Sequence, residues 1–188
     1  MFVDCAMQSN PAVDALIKSA RVLIVDDEFY TRKVIRTLLQ SAGVVHIHDA
    51  PDAPAGLEAI ARLQPDVVLL DWEMPGMDGA AFTRFVRSPS TFPYPAVPII
   101  MLTGHGERSR VLEAVRLGVH EFLLKPVSSA TLITRIAWVL SKPRTMIQRG
   151  DYYGPEPRRL ATYKPDDDSY NLSLDRAVDR LPANRLFI

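Results

Sequence analysis

Four short apolar runs in this chain each stop at a polar residue: two at an aspartate, one at a threonine and one at a lysine. Arg21-Val-Leu-Ile-Val25 ends at Asp26-Asp27-Glu28, and Val67-Val-Leu-Leu70 ends at Asp71. Val97-Pro-Ile-Ile-Met-Leu102 ends at Thr103-Gly104, and Glu121-Phe-Leu-Leu124 ends at Lys125-Pro126. Short runs without alternation, rich in branched side chains, are the pattern of strands buried on both faces of a parallel sheet. Val44 to Ala50 alternates more and suits an edge strand. Helical stretches separate the runs. Phe29 to Gln40 carries Val34, Ile35, Leu38 and Leu39 at helical spacing and closes at Ser41-Ala42-Gly43. Asp52 to Leu63 brings Leu57, Ile60 and Ala61 together, with Asp52 as a cap. Asp78 can cap a short helix from Gly79 to Arg87. Arg108 to Leu117 turns Val111, Leu112 and Val115 inward, with Gly118 past its end. The last helix starts at Ser128 or Ser129 and runs to Leu140, limited by Pro143. Strand and helix alternate five times, which predicts an α/β domain with a parallel sheet. Right-handed crossovers then place helices on both faces, giving a three-layer sandwich.

The chain has 188 residues, enough for one ordinary domain with appendages. The expected division is a leader over 1–20 with room for a short helix, a domain over 21–142, and a proline-rich, charged tail over 143–188. Within that tail, Leu172 to Leu181 can form one short helix, and no paired helices resembling a helix-turn-helix follow Pro143. The 22 basic and 22 acidic side chains cancel, so neither nucleic acid nor an anionic membrane is an expected partner. Cys5 is the single cysteine and has no partner, which favours a reducing compartment. The first residues lack a basic region followed by an apolar run, and no stretch is long enough to span a bilayer. A cytoplasmic protein is expected.

In an open α/β sheet, ligands bind beyond the carboxyl ends of the strands, where strand order reverses. Each run above delivers its polar residue to that end. The order is an acidic pair (Asp26, Asp27), an aspartate (Asp71), a hydroxyl (Thr103) and a lysine followed by proline (Lys125-Pro126). Together with the turn Asp71-Trp-Glu-Met-Pro-Gly-Met-Asp-Gly79, it resembles the response-regulator receiver family over roughly Arg21 to Leu140. The resemblance implies a flavodoxin-like (βα)5 fold, its five-stranded parallel sheet ordered 2-1-3-4-5. It also implies the roles. Asp71 accepts a phosphoryl group from a sensor histidine kinase or a histidine phosphotransfer protein.

Three clustered carboxylates repel one another, and a hard divalent cation such as Mg²⁺ relieves the strain. By resemblance Asp27 and Asp71 bind it directly, Asp26 binds it through water, and Glu73 through its backbone carbonyl. Lys125 and the metal stabilise charge on the phosphoryl oxygens, and Thr103 donates its hydroxyl to one of them. The family switch moves Thr103 toward that group while an aromatic rotates into the vacated space. Here the aromatic is Phe122, and it lacks the hydroxyl of the tyrosine many relatives carry. Glu73 and His105 stand at the two positions that tune dephosphorylation, and the Lys125-Pro126 bond is implied to be cis. The domain then signals through a phosphorylation-dependent surface for an unidentified downstream protein, and is not itself an enzyme.

Other features favour plainer readings. His46 and His48 share one face of an edge strand without a third ligand, so they read as surface residues. His120 reads as a turn residue, and Arg149 with Arg158-Arg159 as part of a solvated tail offset by Asp166-Asp-Asp168. The last helix is apolar more widely than one core stripe needs, through Ile133 and Trp138 among others. Either the leader or tail covers that second face, or it serves as an interface, for instance a homodimer through the fourth-helix to fifth-helix side. Both readings stand open. Two rivals share the fold-level pattern. A haloacid-dehalogenase-type phosphatase also uses a Mg²⁺-bound aspartate, but it needs a second aspartate where this chain has Glu73. A receiver-like scaffold that signals without phosphate would not need all five site residues, and all five are here.

Overall fold

The computed structural model describes residues 11–104 and 106–156. A first helix, α1 (Pro11–Ser19), leads into β1 (Arg21–Val25), α2 (Phe29–Ser41), β2 (His46–Ala50), α3 (Ala53–Leu63) and β3 (Val67–Asp71). Then come α4 (Gly79–Val86), β4 (Ile99–Thr103), α5 (Arg108–Arg116), β5 (Glu121–Leu124) and α6 (Ser129–Ser141). A hairpin of β6 (Met146–Arg149) and β7 (Tyr152–Pro155) follows. The five main strands are parallel and ordered β2-β1-β3-β4-β5, the order the resemblance implied.

Side chains alternate across the sheet, so each buried strand feeds two cores. Leu23, Val25, Val68, Leu70, Ile99 and Met101 face Ile60 of α3, Phe82 of α4 and Val111 of α5. Val22, Ile24, Val67, Leu69, Ile100 and Leu102 face Ile35 and Leu39 of α2 and Ile136 of α6. At about 1.5–3 kcal/mol for each large apolar side chain fully buried, this double burial is the main driving force for the sheet. β2 lies at the edge, with His46 exposed and His48 half-buried. The expected caps are made: Asp52 accepts from the Ala55 N–H at 2.8 Å, Asp78 from Ala81 at 2.7 Å, and Ser128 from Thr131 at 3.1 Å. No helix among the described residues is long and apolar enough to cross a membrane.

Two elements outside the expected 21–142 pack onto the domain. Helix α1 lies against α6, and its Val13 and Ile17 join the second core beside Ile133, Ala137 and Leu140. The stretch after Pro143, read from sequence as a linker or a draped tail, instead forms the β6–β7 hairpin around Gly150-Asp151, with Gly150 at φ +56°. The hairpin seats where two glycines meet. A Cβ on Gly154 would lie 2.7 Å from the Gly118 Cα, and one on Gly118 would lie 2.7 Å from the Tyr153 carbonyl oxygen. Beneath this contact the Arg87 guanidinium is buried. It donates to the carbonyls of Gly118 (2.9 Å), Val97 (2.9 Å) and Pro95. His120 has the bent backbone expected of it, but its ring is buried and its Nδ1 stands 3.4 Å from both Arg87 and the Ile99 N–H. Arg144 ties the chain after α6 to the His120 carbonyl at 2.7 Å. Cys5, Arg158-Arg159, Asp166-Asp-Asp168 and the Leu172 to Leu181 segment lie outside the described residues.

Gly154→Ala forces the hairpin off its seat. Urea unfolding of the full chain is expected to show a loss of about 1–3 kcal/mol. A variant as stable as the parent would mean the hairpin is not docked there.

Candidate functional site

The carboxyl ends of β1, β3, β4 and β5 deliver their polar residues to one rim of the sheet. Asp26 continues β1 by one residue, with its N–H donating to the Ala50 carbonyl at 3.3 Å. Its carbonyl accepts from Arg32 at 2.7 Å, and its Oδ1 accepts from the Glu28 N–H at 2.8 Å. Its side chain is thereby fixed and fully buried, while Asp27 beside it is exposed. Asp71 ends β3, and the Trp72 N–H holds the register one residue further by donating to Leu102 at 2.9 Å. The chain then turns sharply back, so that the Gly79 N–H donates to the Trp72 carbonyl at 2.8 Å. A Cβ at position 79 would lie 2.4 Å from the Asp71 carbonyl oxygen, which is why only glycine fits there.

Carboxylate oxygens of Asp26, Asp27 and Asp71 all lie within 4.8 Å of one another, so the three could hold a metal ion. Lys125 closes the group from the end of β5. Its N–H donates to the Thr103 carbonyl at 2.7 Å, and the Lys125–Pro126 bond is cis. Its Nζ stands 2.8 Å from Asp26 Oδ2 and 2.9 Å from Asp71 Oδ1. Burial pushes the Asp71 carboxyl above the usual carboxylate range and Asp26 adds to this, while Lys125 and the Glu73 backbone N–H pull the other way without cancelling it. Burial alone would lower the Lys125 ammonium, but hydrogen bonds and charge from Asp26 and Asp71 outweigh it and raise it. One ammonium therefore serves two carboxylates and leaves Asp71 short of positive charge. A divalent cation fits that deficit, and three carboxylates are the oxygen donors a hard ion takes.

The remaining expected residues fall around this rim. Thr103 is buried at the end of β4, beside Asp71 and Lys125 in the strand order. The Phe122 ring is buried and meets Trp72 edge-to-face at 6.4 Å, so it already points inward. Glu73 exposes its side chain next to Asp71. His105 lies outside the described residues. Ile133 and Trp138 part company: Ile133 packs in the core that α1 completes, whereas Trp138 is 37% exposed with the Lys142 ammonium 3.8 Å from its ring centre. Helical spacing puts Trp138 on the opposite flank of α6, with Arg135, which stands 3.6 Å from the Glu121 carboxylate of β5.

Two supporting arginines escaped the sequence reading: Arg32, which holds the Asp26 carbonyl, and Arg110, which stacks over the Trp72 ring at 4.9 Å. Both sit in ordinary helical turns, where a charged residue usually means a solvated face. Phe29, Tyr30 and Val34 form an exposed apolar strip on α2, starting two residues after Asp27.

Residues 22–137 match the family described as the response regulator receiver domain. Chemotaxis protein CheY-3 of Vibrio cholerae serotype O1 is 32% identical over 117 residues, which cover 62% of this chain and 88% of that protein. A protein-glutamate methylesterase/protein-glutamine glutaminase of Myxococcus xanthus is 38% identical over 106 residues, covering 56% of this chain and 29% of that protein. The solved structure of Vibrio cholerae chemotaxis protein CheY4 superposes with a TM-score of 0.59 at 33% identity, covering 65% of this chain and 99% of that one. With its strand order and its acidic rim in place, the chain belongs to the response regulator receiver family and is a response regulator of two-component phosphorelay signalling.

Proposed function

We propose that Asp71 is the phosphoacceptor and that Asp26, Asp27, Thr103 and Lys125 are the groups that make it work. The observation that carries this reading is the Lys125 ammonium lying between the carboxylates of Asp26 and Asp71, with Asp27 within reach of both. An oxygen of the ionised Asp71 carboxylate attacks phosphorus, the bond to the donor imidazole nitrogen breaks, and that nitrogen keeps the electron pair. The product is an acyl phosphate on Asp71 and a histidine returned to the donor. Lys125 is placed to meet the negative charge that gathers on the phosphoryl oxygens. Mg²⁺ suits the all-oxygen donor set: Asp27 and Asp71 would hold it, Glu73 through its backbone carbonyl and Asp26 through water. When bound, it supplies positive charge to the same phosphoryl oxygens and keeps Asp71 ionised.

Afterwards Thr103 donates its hydroxyl to the phosphoryl group. Phe122 needs no large swing, since its ring is already buried against Trp72. Glu73 and His105 are the residues that tune attack of water on the acyl phosphate. The donor is a sensor histidine kinase or a histidine phosphotransfer protein. Its histidine must approach Asp71 from outside the rim, and the exposed Phe29, Tyr30 and Val34 strip flanking Asp27 supports α2 as its seat. With α1 over Ile133, the surface left for a downstream protein or a homodimer is the α5–β5–α6 side that carries Trp138. The methylesterase activity named for the Myxococcus relative is not proposed here, because the similarity spans 29% of that protein. The chain acts in the cytoplasm by being modified and bound, without catalysing turnover of its own.

Intact mass after incubation with Mg²⁺ and acetyl phosphate is expected to show one added phosphoryl group, which does not form when chelator replaces Mg²⁺ and is absent from Asp71→Asn. Labelling of that variant to the same extent would remove Asp71 from the proposal. Lys125→Met leaves the buried Asp26 carboxylate without its cation. In the presence of chelator it should lose on the order of 3 kcal/mol of stability by urea unfolding, and it should label far more slowly. Unchanged stability would show that the ammonium does not hold the rim together.

A further inference from the structure

The hairpin that follows α6 lies beyond residues 22–137, the part of the chain that the receiver family shares, and it creates a cleft that those residues alone would leave open. Its turn and second strand, through Asp151 and Tyr153, face the groove between α4 and α5 and enclose about 740 Å³. That volume falls in the range of small-molecule sites, which runs from about 300 to 1,000 Å³. The cleft lies away from the acidic rim, and none of Asp26, Asp27, Asp71 or Lys125 lines it.

Its charge is unbalanced in a specific way. Arg84, Arg87 and Arg116 line it against Glu113 and Asp151. Glu113 is already shared by Arg84 at 3.5 Å and Arg110 at 3.9 Å. Arg116 makes no ion pair with any described carboxylate, and it stands exposed on the last turn of α5. Arg87 is buried at 6% exposure with three carbonyl oxygens and a histidine nitrogen as its neighbours, and no carboxylate among the described residues. Carbonyl dipoles orient this guanidinium but leave its full positive charge uncancelled, and burial lowers its pKa to about 10 without discharging it at neutral pH. A buried cation and, at the rim, a guanidinium with no ion pair among the described residues favour an anion. Arginine forks match phosphate oxygens two at a time. Tyr153 adds an aromatic wall, which favours a ligand with a planar ring.

We propose that the cleft between α4, α5 and the hairpin binds a small phosphate ester carrying an aromatic ring, of nucleotide size, with its phosphate at Arg116 and its ring against Tyr153. This places a second ligand input on the face opposite the α1 side, its wall completed by Asp151 and Tyr153 from beyond the shared receiver domain. It does not depend on phosphorylation of Asp71.

The test is heteronuclear NMR of the full chain in chelator, so that no metal draws phosphate to the acidic rim. Guanosine monophosphate and inorganic phosphate are the probes, each titrated to about 10 mM. Saturable shifts at Arg116 and Tyr153 are expected, with the nucleotide binding at least about tenfold more tightly than phosphate. Arg116→Gln, an exposed substitution, should weaken the nucleotide about tenfold or more, and Asp71→Asn should leave it unchanged. No saturable shift, equal affinity for the two probes, binding indifferent to Arg116→Gln, or binding lost in Asp71→Asn each overturns the proposal.

Discussion

The Lys125 ammonium stands within 3 Å of two carboxylates that would otherwise repel one another, one of them fully buried. Much of the architecture serves that arrangement. β1, β3 and β5 must end at the same level for Asp26, Asp71 and Lys125 to meet, and the parallel register of the sheet provides that. The register in turn depends on strands buried on both faces, because a slip of one residue would exchange the two cores. The Glu28 N–H and Arg32 hold Asp26 from below, and the glycine turn at Gly79 lets the chain pass close over Asp71. One ammonium cannot fully offset three carboxylates, and burial first, then the Asp26 carboxylate, hold the Asp71 carboxyl above its usual range against Lys125. These electrostatics suit the rim to added positive charge.

Most of this core was legible in the residues. Val22 to Val25, Val67 to Leu70 and Ile99 to Leu102 are continuous apolar runs because helices cover both sheet faces, and such runs leave little room for another reading. The caps at Asp52, Asp78 and Ser128 mark helix starts where they were expected. The site residues were legible for a related reason: Asp26, Asp71, Thr103 and Lys125 are each the first polar residue after an apolar run, with Asp27 next to Asp26, so the sheet itself aligns them. Arg32 and Arg110 were not, since nothing in a helical pattern distinguishes an arginine that reaches a backbone carbonyl or an indole ring from one in water.

The additions at the two ends were harder to see. Gly150-Asp151 between two short runs is a hairpin signal. It was masked by the surrounding prolines and charges, which suggest a linker. Arg87 reads as the polar end of a short helix, yet it is buried because the hairpin closes over it. The breadth of the apolar surface on α6 did signal a cover, without saying which. Helix α1 takes the Ile133 flank, as the covering reading expected, and leaves Trp138 partly exposed. These additions give a shared receiver core a different periphery: one face closed by its own leader helix, and a cleft on the other.

The most direct test of the central claim is a crystal structure of the full chain with Mg²⁺ and beryllofluoride, which mimics an aspartyl phosphate. The account predicts beryllium bonded to an Asp71 carboxylate oxygen. The metal would be held by Asp27 and Asp71, and Lys125 Nζ and the Thr103 hydroxyl would lie within hydrogen-bond distance of the fluorines. Beryllofluoride on another residue, or no adduct with the ion pair between Lys125 and Asp71 intact, would contradict it.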